Sequence, residues 1–258
     1  MIFSEIKDWK DLQNKVCDLL NQSGFIAEKE KDVETPRGEM EIDVYAYDPN
    51  SIDKITYIVE CKNWNKNVNQ DVIHSFTTRM NETGGNLGYI ISKKGFQKGA
   101  KKYIRSTNIN LFTFQEIQSR YLSTWLSSFF CTKIRDYSDE LTQYVEPINY
   151  RRNKFVDKLD KVNKKRFFLL YDKYELLGSY LTLIAANSKE VQKIYKTIGK
   201  NTELDVPSIS KQKNFFLEHY KMEIKSDNYT DLLIELEPYI KSVTEEFHKI
   251  FNENIFSN

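Results

Sequence analysis

Two β-prone runs with a short polar turn between them constrain this chain more than any other stretch. Glu39 to Ala46 alternates acidic and apolar residues, Ile55 to Lys62 follows, and Asp48 to Asp53 lies between. That pattern predicts a β-hairpin. A symmetric hairpin centred between Ser51 and Ile52 sets Asp43 opposite Glu60 and Glu41 opposite Lys62. Directly opposed residues have Cβ atoms about 4.5–5.5 Å apart. Because side chains alternate along a strand, one face carries Glu39, Glu41, Asp43, Glu60 and Lys62. The other carries Met40, Ile42, Val44, Ala46, Tyr57, Val59 and Cys61 and reads as a core face. Two opposed carboxylates repel unless positive charge lies between them, and a hard divalent cation held by oxygen ligands supplies such charge. The bland alternative is a solvated strand face on which Glu60 and Lys62 balance each other.

The lone Asp43 followed by Glu60-Cys61-Lys62 resembles the PD-(D/E)xK nuclease superfamily, and within it the Mrr-like restriction endonuclease branch. The pattern there is a helix, a strand ending near an Asp, then a strand carrying Glu/Gln-x-Lys. The resemblance continues through Gly88 to Ser92 and Gly95 to Ala100, and covers about residues 8 to 117. It implies that Asp43 and Glu60 hold Mg²⁺ or Mn²⁺, with the carbonyl of Cys61 as a third ligand. Such a metal makes a water nucleophilic near neutral pH and neutralises charge on the phosphate. Lys62 would orient or deprotonate that water and help hold the phosphate. Gln13 stands where this branch often has a Glu, and Glu41 is the residue that could compensate. Gln70, at the start of the next helix, is a candidate substrate-positioning residue. The activity implied is metal-dependent, endonucleolytic hydrolysis of DNA, in defence against foreign DNA.

Along the chain, a helix is expected over residues 8 to 23, capped by Asp8 and ended by Gly24. A strand begins at Phe25, and Pro36 to Gly38 forms a turn. Further helices are expected at 70–80 and 96–106, and strands at 87–92 and 110–114. This alternation of strands and helices favours an α/β sandwich with a mixed sheet. Seven of the nine glycines lie before residue 100, whereas the remainder is rich in Leu, Lys, Glu and Tyr. The fold expected is therefore a restriction-endonuclease-like mixed sheet flanked by helices, residues 1–118, followed by an all-helical domain, residues 119–258. In that domain helices are expected at 117–135, across 138–186, and at 188–198, 208–225 and 229–255, with Pro147, Pro207 and Pro238 as breaks.

The formal net charge is +1, so nucleic-acid binding must come from a local patch. Lys93, Lys94, Lys98, Lys101, Lys102 and Arg105 place six cations among thirteen residues with no acid. They are the candidate phosphate contacts, against the alternative of a solvated helix face. Arg151 to Arg166 holds eight cations and two aspartates, and is read first as an amphipathic helix and second as another nucleic-acid surface. The last 58 residues are acidic, with eleven Asp/Glu against six Lys/Arg. His74, His219 and His248 stand apart and form no zinc pattern. Cys17, Cys61 and Cys131 are widely spaced, which points to a reducing compartment. No signal peptide and no membrane span is read, so a cytoplasmic protein is expected. The partner expected is DNA, with a homodimer or protein partner held through the helical half. Two rivals remain: a partner-regulated effector nuclease, and an inactive nucleic-acid-binding module of the same fold.

Overall fold

Asp8 opens the first helix, α1 (Trp9–Gln22), by accepting the Asp11 amide at 2.8 Å, as N-cap residues do. Three antiparallel strands follow: β1 (Ile26–Thr35), β2 (Gly38–Tyr47) and β3 (Thr56–Lys62). Then come α2 (Gln70–Thr83), β4 (Leu87–Ser92), α3 (Lys98–Tyr103) with a 3-10 turn to Ser106, β5 (Ile109–Thr113) and α4 (Phe114–Trp125). The sheet order is β1-β2-β3-β4-β5, with β3, β4 and β5 parallel. This is the mixed sheet flanked by helices of the restriction-endonuclease-like fold. This computed structural model describes residues 1–197 and 205–257, and divides after Trp125 into two units.

Alternation along the central strands sorts the two faces. Ile58 and Ile90 join Ile42, Ile73, Phe76, Met80 and Ala100 in one core, under α2 and α3. Tyr57 and Tyr89, one residue earlier on β3 and β4, point the other way and pack edge-on with Phe25, Phe112 and Tyr121. Both faces of β3 are therefore covered, including the one expected to be a polar active face. The first unit ends at Trp125 rather than near 118. The reason is packing: Trp125 is fully buried, lies edge-on to Phe3, and donates to the Gln22 side chain at 2.6 Å.

The second unit is helical. After a π-turn over Leu126–Phe130 it comprises α5 (Cys131–Val145), α6 (Tyr150–Asp157), α7 (Lys161–Ala185), α8 (Lys189–Thr197), α9 (Ile209–Tyr220) and α10 (Tyr229–Phe251). Helices α5, α7 and α10 share a core of Ile134, Leu141, Tyr144, Phe167, Leu177, Leu236 and Phe247. Gly178 lets α7 approach α5, since a Cβ there would lie 2.2 Å from Val145 Cγ2. Pro238 does not end a helix, contrary to expectation; it sits inside α10. The carbonyl it leaves unbonded belongs to Ile234, which is exposed, so water can serve it. Among the described residues no helix is long and apolar enough to cross a membrane.

Candidate active site

The register of β2 and β3 runs Val44↔Val59, Tyr45↔Ile58, Ala46↔Tyr57 and Tyr47↔Thr56, and the ladder stops there. Beyond Val59, β3 stays with β4, pairing Glu60 with Ile90 and Lys62 with Ser92. Before Val44, β2 stays with β1, pairing Glu41 with Asp32. Asp43 and Glu60 thus sit one step past the last rung, where the two strands part. Asp43 also stands outside the β1 ladder, which passes from Lys29↔Val44 to Lys31↔Ile42 with Glu30 at φ 49°. The register is the same on both sides of this step, so no residue is inserted there.

The carboxylate of Asp43 replaces a missing ladder bond: its Oδ2 accepts the Cys61 amide at 2.7 Å. Burial holds the Asp43 carboxyl above its ordinary pKa, and the nearby Glu60 charge adds to that, while the Cys61 amide, Lys62 and Arg79 pull it down. Glu60 is 7% exposed. One of its oxygens meets Lys62 Nζ, and the other meets Arg79 Nη1 at 2.9 Å. A buried carboxylate needs such compensation. Burial, then Asp43 and Glu60, push the Cys61 thiol far up, so its sulfur is no nucleophile here.

Asp43, Glu60, Cys61 and Lys62 therefore come together. Glu41 does not join them; it is exposed on β2, beyond the point of parting, because that half of the strand follows β1. Gln70 is the first residue of α2, exposed, with its Nε2 3.1 Å from His74 Nε2. Gln13 is buried on α1, the helix lying against β1, β2 and β3. Lys93 and Lys94 are exposed in the turn after β4, and the Lys93 amide donates to the Lys62 carbonyl at 3.0 Å. Lys98, Lys101 and Lys102 are exposed on α3, and Arg105 on the 3-10 turn that follows. In the second basic run Arg152 is buried and bonds the carbonyls of Tyr144 and Glu146 at the end of α5. That guanidinium is a helix cap and is not available to a phosphate.

Two residues of the site escaped the sequence reading. Arg79 follows Ile73 and Phe76 on the inward stripe of α2, and a lone cation on an otherwise apolar stripe is the signal that would have found it. Trp64 is 36% exposed, with Lys62 Nζ 5.5 Å and Lys66 Nζ 5.7 Å from its ring centroid. Its signal was an aromatic residue between two lysines.

The donors that meet at the centre are the carboxylates of Asp43 and Glu60, both hard oxygen ligands. That set suits Mg²⁺ or Mn²⁺ better than a metal that prefers nitrogen or sulfur. Among the described residues no group of three or more His, Cys, Asp or Glu side chains gathers as a metal site. Lys62 and Arg79 balance Glu60, so a dication would enter in competition with them.

Residues 6–121 match the family described as restriction endonuclease, of the Mrr catalytic type. No curated protein matches the chain. A solved structure described as a protein of unknown function, AF1548, aligns with 74% of this chain and 100% of its own at 18% identity, with a TM-score of 0.40. A likeness that loose carries no argument.

Proposed function

From the match of residues 6–121 to the restriction-endonuclease family of the Mrr type, we propose that the chain is a divalent-metal-dependent nuclease that cleaves DNA phosphodiester bonds internally, in defence against foreign DNA. The observation that carries this reading is the meeting of Asp43, Glu60 and Lys62 where β2 and β3 part. Asp43, Glu60 and the Cys61 carbonyl would hold Mg²⁺ or Mn²⁺, which when bound supplies an activated water and charge neutralisation at the phosphate.

The remaining chemistry belongs to side chains. Lys62 rests on Glu60, from where it would orient the water or, when its amine is neutral, take its proton. The cation Arg79, fixed on the same carboxylate, keeps Glu60 in position. The Lys93 amide meets the Lys62 carbonyl, and Lys94, Lys98, Lys101, Lys102 and Arg105 are exposed cations on the turn, α3 and 3-10 turn that follow β4. These cations are the phosphate contacts of this reading. A second reading, an inactive nucleic-acid-binding module, is favoured by one observation: both Glu60 oxygens are already taken by cations.

The test is incubation of the full chain with supercoiled plasmid and Mg²⁺ or Mn²⁺, beside an EDTA control and an Asp43→Asn variant. Metal-dependent nicking or linearisation that the variant lacks supports the nuclease. Plasmid that is retarded in a gel but never cut supports the binding module.

A further inference from the structure

Helix α7 carries a second pattern, on the side away from its core. Phe167, Tyr174, Leu177, Leu181 and Ile184 point inward. Val162, Leu169, Leu176 and Leu183 point outward and are 70%, 61%, 46% and 70% exposed. They recur every seventh residue along a helix of 25 residues. Seven residues at 100° each bring a side chain back to within about 20° of its starting direction, so the four form one shallow stripe, with the charged Asp172 and Lys173 flanking its middle where a coiled-coil seam would carry a second apolar residue. Isolated leucines on a surface need no explanation, but four in heptad register do.

We propose that this stripe is covered by α7 of a second copy of the chain, running antiparallel about a two-fold axis between residues 172 and 173. Charge argues for the orientation. Lys161, Lys165 and Arg166 crowd the start of α7, and its second half from Leu176 on holds no charged residue. A parallel pair would bring the two basic ends together, whereas the antiparallel pair sets each against the partially negative end of the other helix. The same two-fold sets Leu169 against Leu176 of the second copy and Val162 against Leu183. It also brings each Asp172 beside Lys173 of the other copy, and Asp172 has no ion pair among the described residues. A groove of about 330 Å³ between α7 and α10, lined by Arg166, Leu169, Leu170, Lys173, Glu246 and Lys249, lies next to the stripe. In this register it faces Glu175 and Leu176 of the second copy, an acid and an apolar side chain for a groove whose three cations outnumber its one acid, Glu246, beside the apolar Leu169, Leu170 and Ile250.

Because α7 is already folded against α5 and α10, association does not have to form the helix, which is what makes short isolated coiled coils marginal. Two-fold pairs are the commonest assembly of this kind. The inference does not depend on whether residues 6–121 cleave DNA.

Light scattering on the full chain should give twice the chain mass. Leu169→Glu with Leu176→Glu should weaken the dimer at least about 30-fold, as loss of buried anchors does, with far-UV dichroism unchanged. Mixing Val162→Cys and Leu183→Cys chains under mild oxidation should give a cross-linked dimer. Neither variant alone should give one, because each cysteine lies far from its own copy. Asp172→Lys should weaken the dimer, and Asp172→Lys with Lys173→Asp should restore it, which keeps the test open if the glutamates disturb folding. A monomer at the highest soluble concentration overturns the proposal. So do cross-links within each single variant, which would mean a parallel pair, or a dimer indifferent to the stripe, which would mean another surface.

Discussion

Asp43 and Cys61 are joined across two strands that have ceased to pair, the Asp43 carboxylate taking the Cys61 amide at 2.7 Å. The bond fixes one oxygen of the carboxylate on the backbone of the residue between Glu60 and Lys62. A carboxylate so placed is costly when charged, and its pKa is held above 3.8, chiefly by burial.

The consequence for stability has a definite sign. With the folded pKa raised, the native state holds its proton longer than the unfolded chain, so Asp43 favours the fold at low pH and lessens its stability as pH rises through the window above 3.8. Asp43→Asn removes that cost and keeps an oxygen to accept the Cys61 amide. The variant should therefore melt higher than wild type at pH 7 and equal to it well below 3.8, while losing cleavage. Calorimetry across pH checks this. Mg²⁺ should raise the melting temperature of wild type but not of the variant, since only a native-state ligand stabilises in that way. A variant that melts lower at pH 7 would mean that the Asp43 charge is compensated in the apo protein.

Arg79 is predicted to stabilise the resting site through Glu60. Arg79→Ala leaves one oxygen of a buried carboxylate without its cation, a loss of about 1–2 kcal/mol, moderated because the Arg79 side chain is 35% exposed. In a Glu60→Gln background the same change should cost much less, because the two residues act as a pair. Denaturant melts of the four proteins decide it. Strict additivity would show that Arg79 acts elsewhere.

The geometry explains why sequence reading reached some of this site and missed the rest. Period-two alternation and a turn of known length place Asp43 beside Glu60, and the Val44↔Val59 rung has the register this requires. Glu41 follows from the same alternation, yet it is lost because the β2–β3 ladder stops at Val44 and the rest of β2 is paired with β1 alone, which no local pattern encodes. Arg79 depends on how α2 is rotated over the sheet, which is decided by the packing of Ile73, Phe76 and Met80. Pro238 reads as a break only if its neighbouring carbonyl is dry. The exposed heptad of α7 was present in the sequence but mixed with inward apolar residues, and separating the two needed the bundle.

The α3 cations should act on DNA without regard to its sequence. Lys98, Lys101 and Lys102 are exposed and have no ion pair among the described residues. Changing all three to Ala should weaken binding to unrelated duplexes alike. It should also flatten the dependence of log K on log salt, by ~0.9 for each phosphate that is no longer neutralised. Binding isotherms at several salt concentrations measure that slope. An unchanged slope would make these lysines a solvated face.

Trp64 is predicted to contact a base close to the scissile phosphate. Its ring is partly exposed and lies within 5.5 Å of Lys62 Nζ, the group nearest the proposed chemistry. A base that stacked on it would set its own phosphate within reach of Lys62 and Lys66, and base–aromatic stacking contributes ~1–3 kcal/mol per base. Trp64→Ala should therefore weaken binding of short single-stranded or frayed oligonucleotides by roughly 5- to 150-fold, and Trp64→Phe much less. An abasic nucleotide at the contacted position should produce the same loss in wild type and little further loss in Trp64→Ala. Fluorescence quenching compared between wild type and Trp64→Phe isolates this tryptophan from the other two in the chain. If the Ala variant binds abasic and intact strands as wild type does, Trp64 is a cover over Lys62, and its effect should appear only in the pH profile of cleavage.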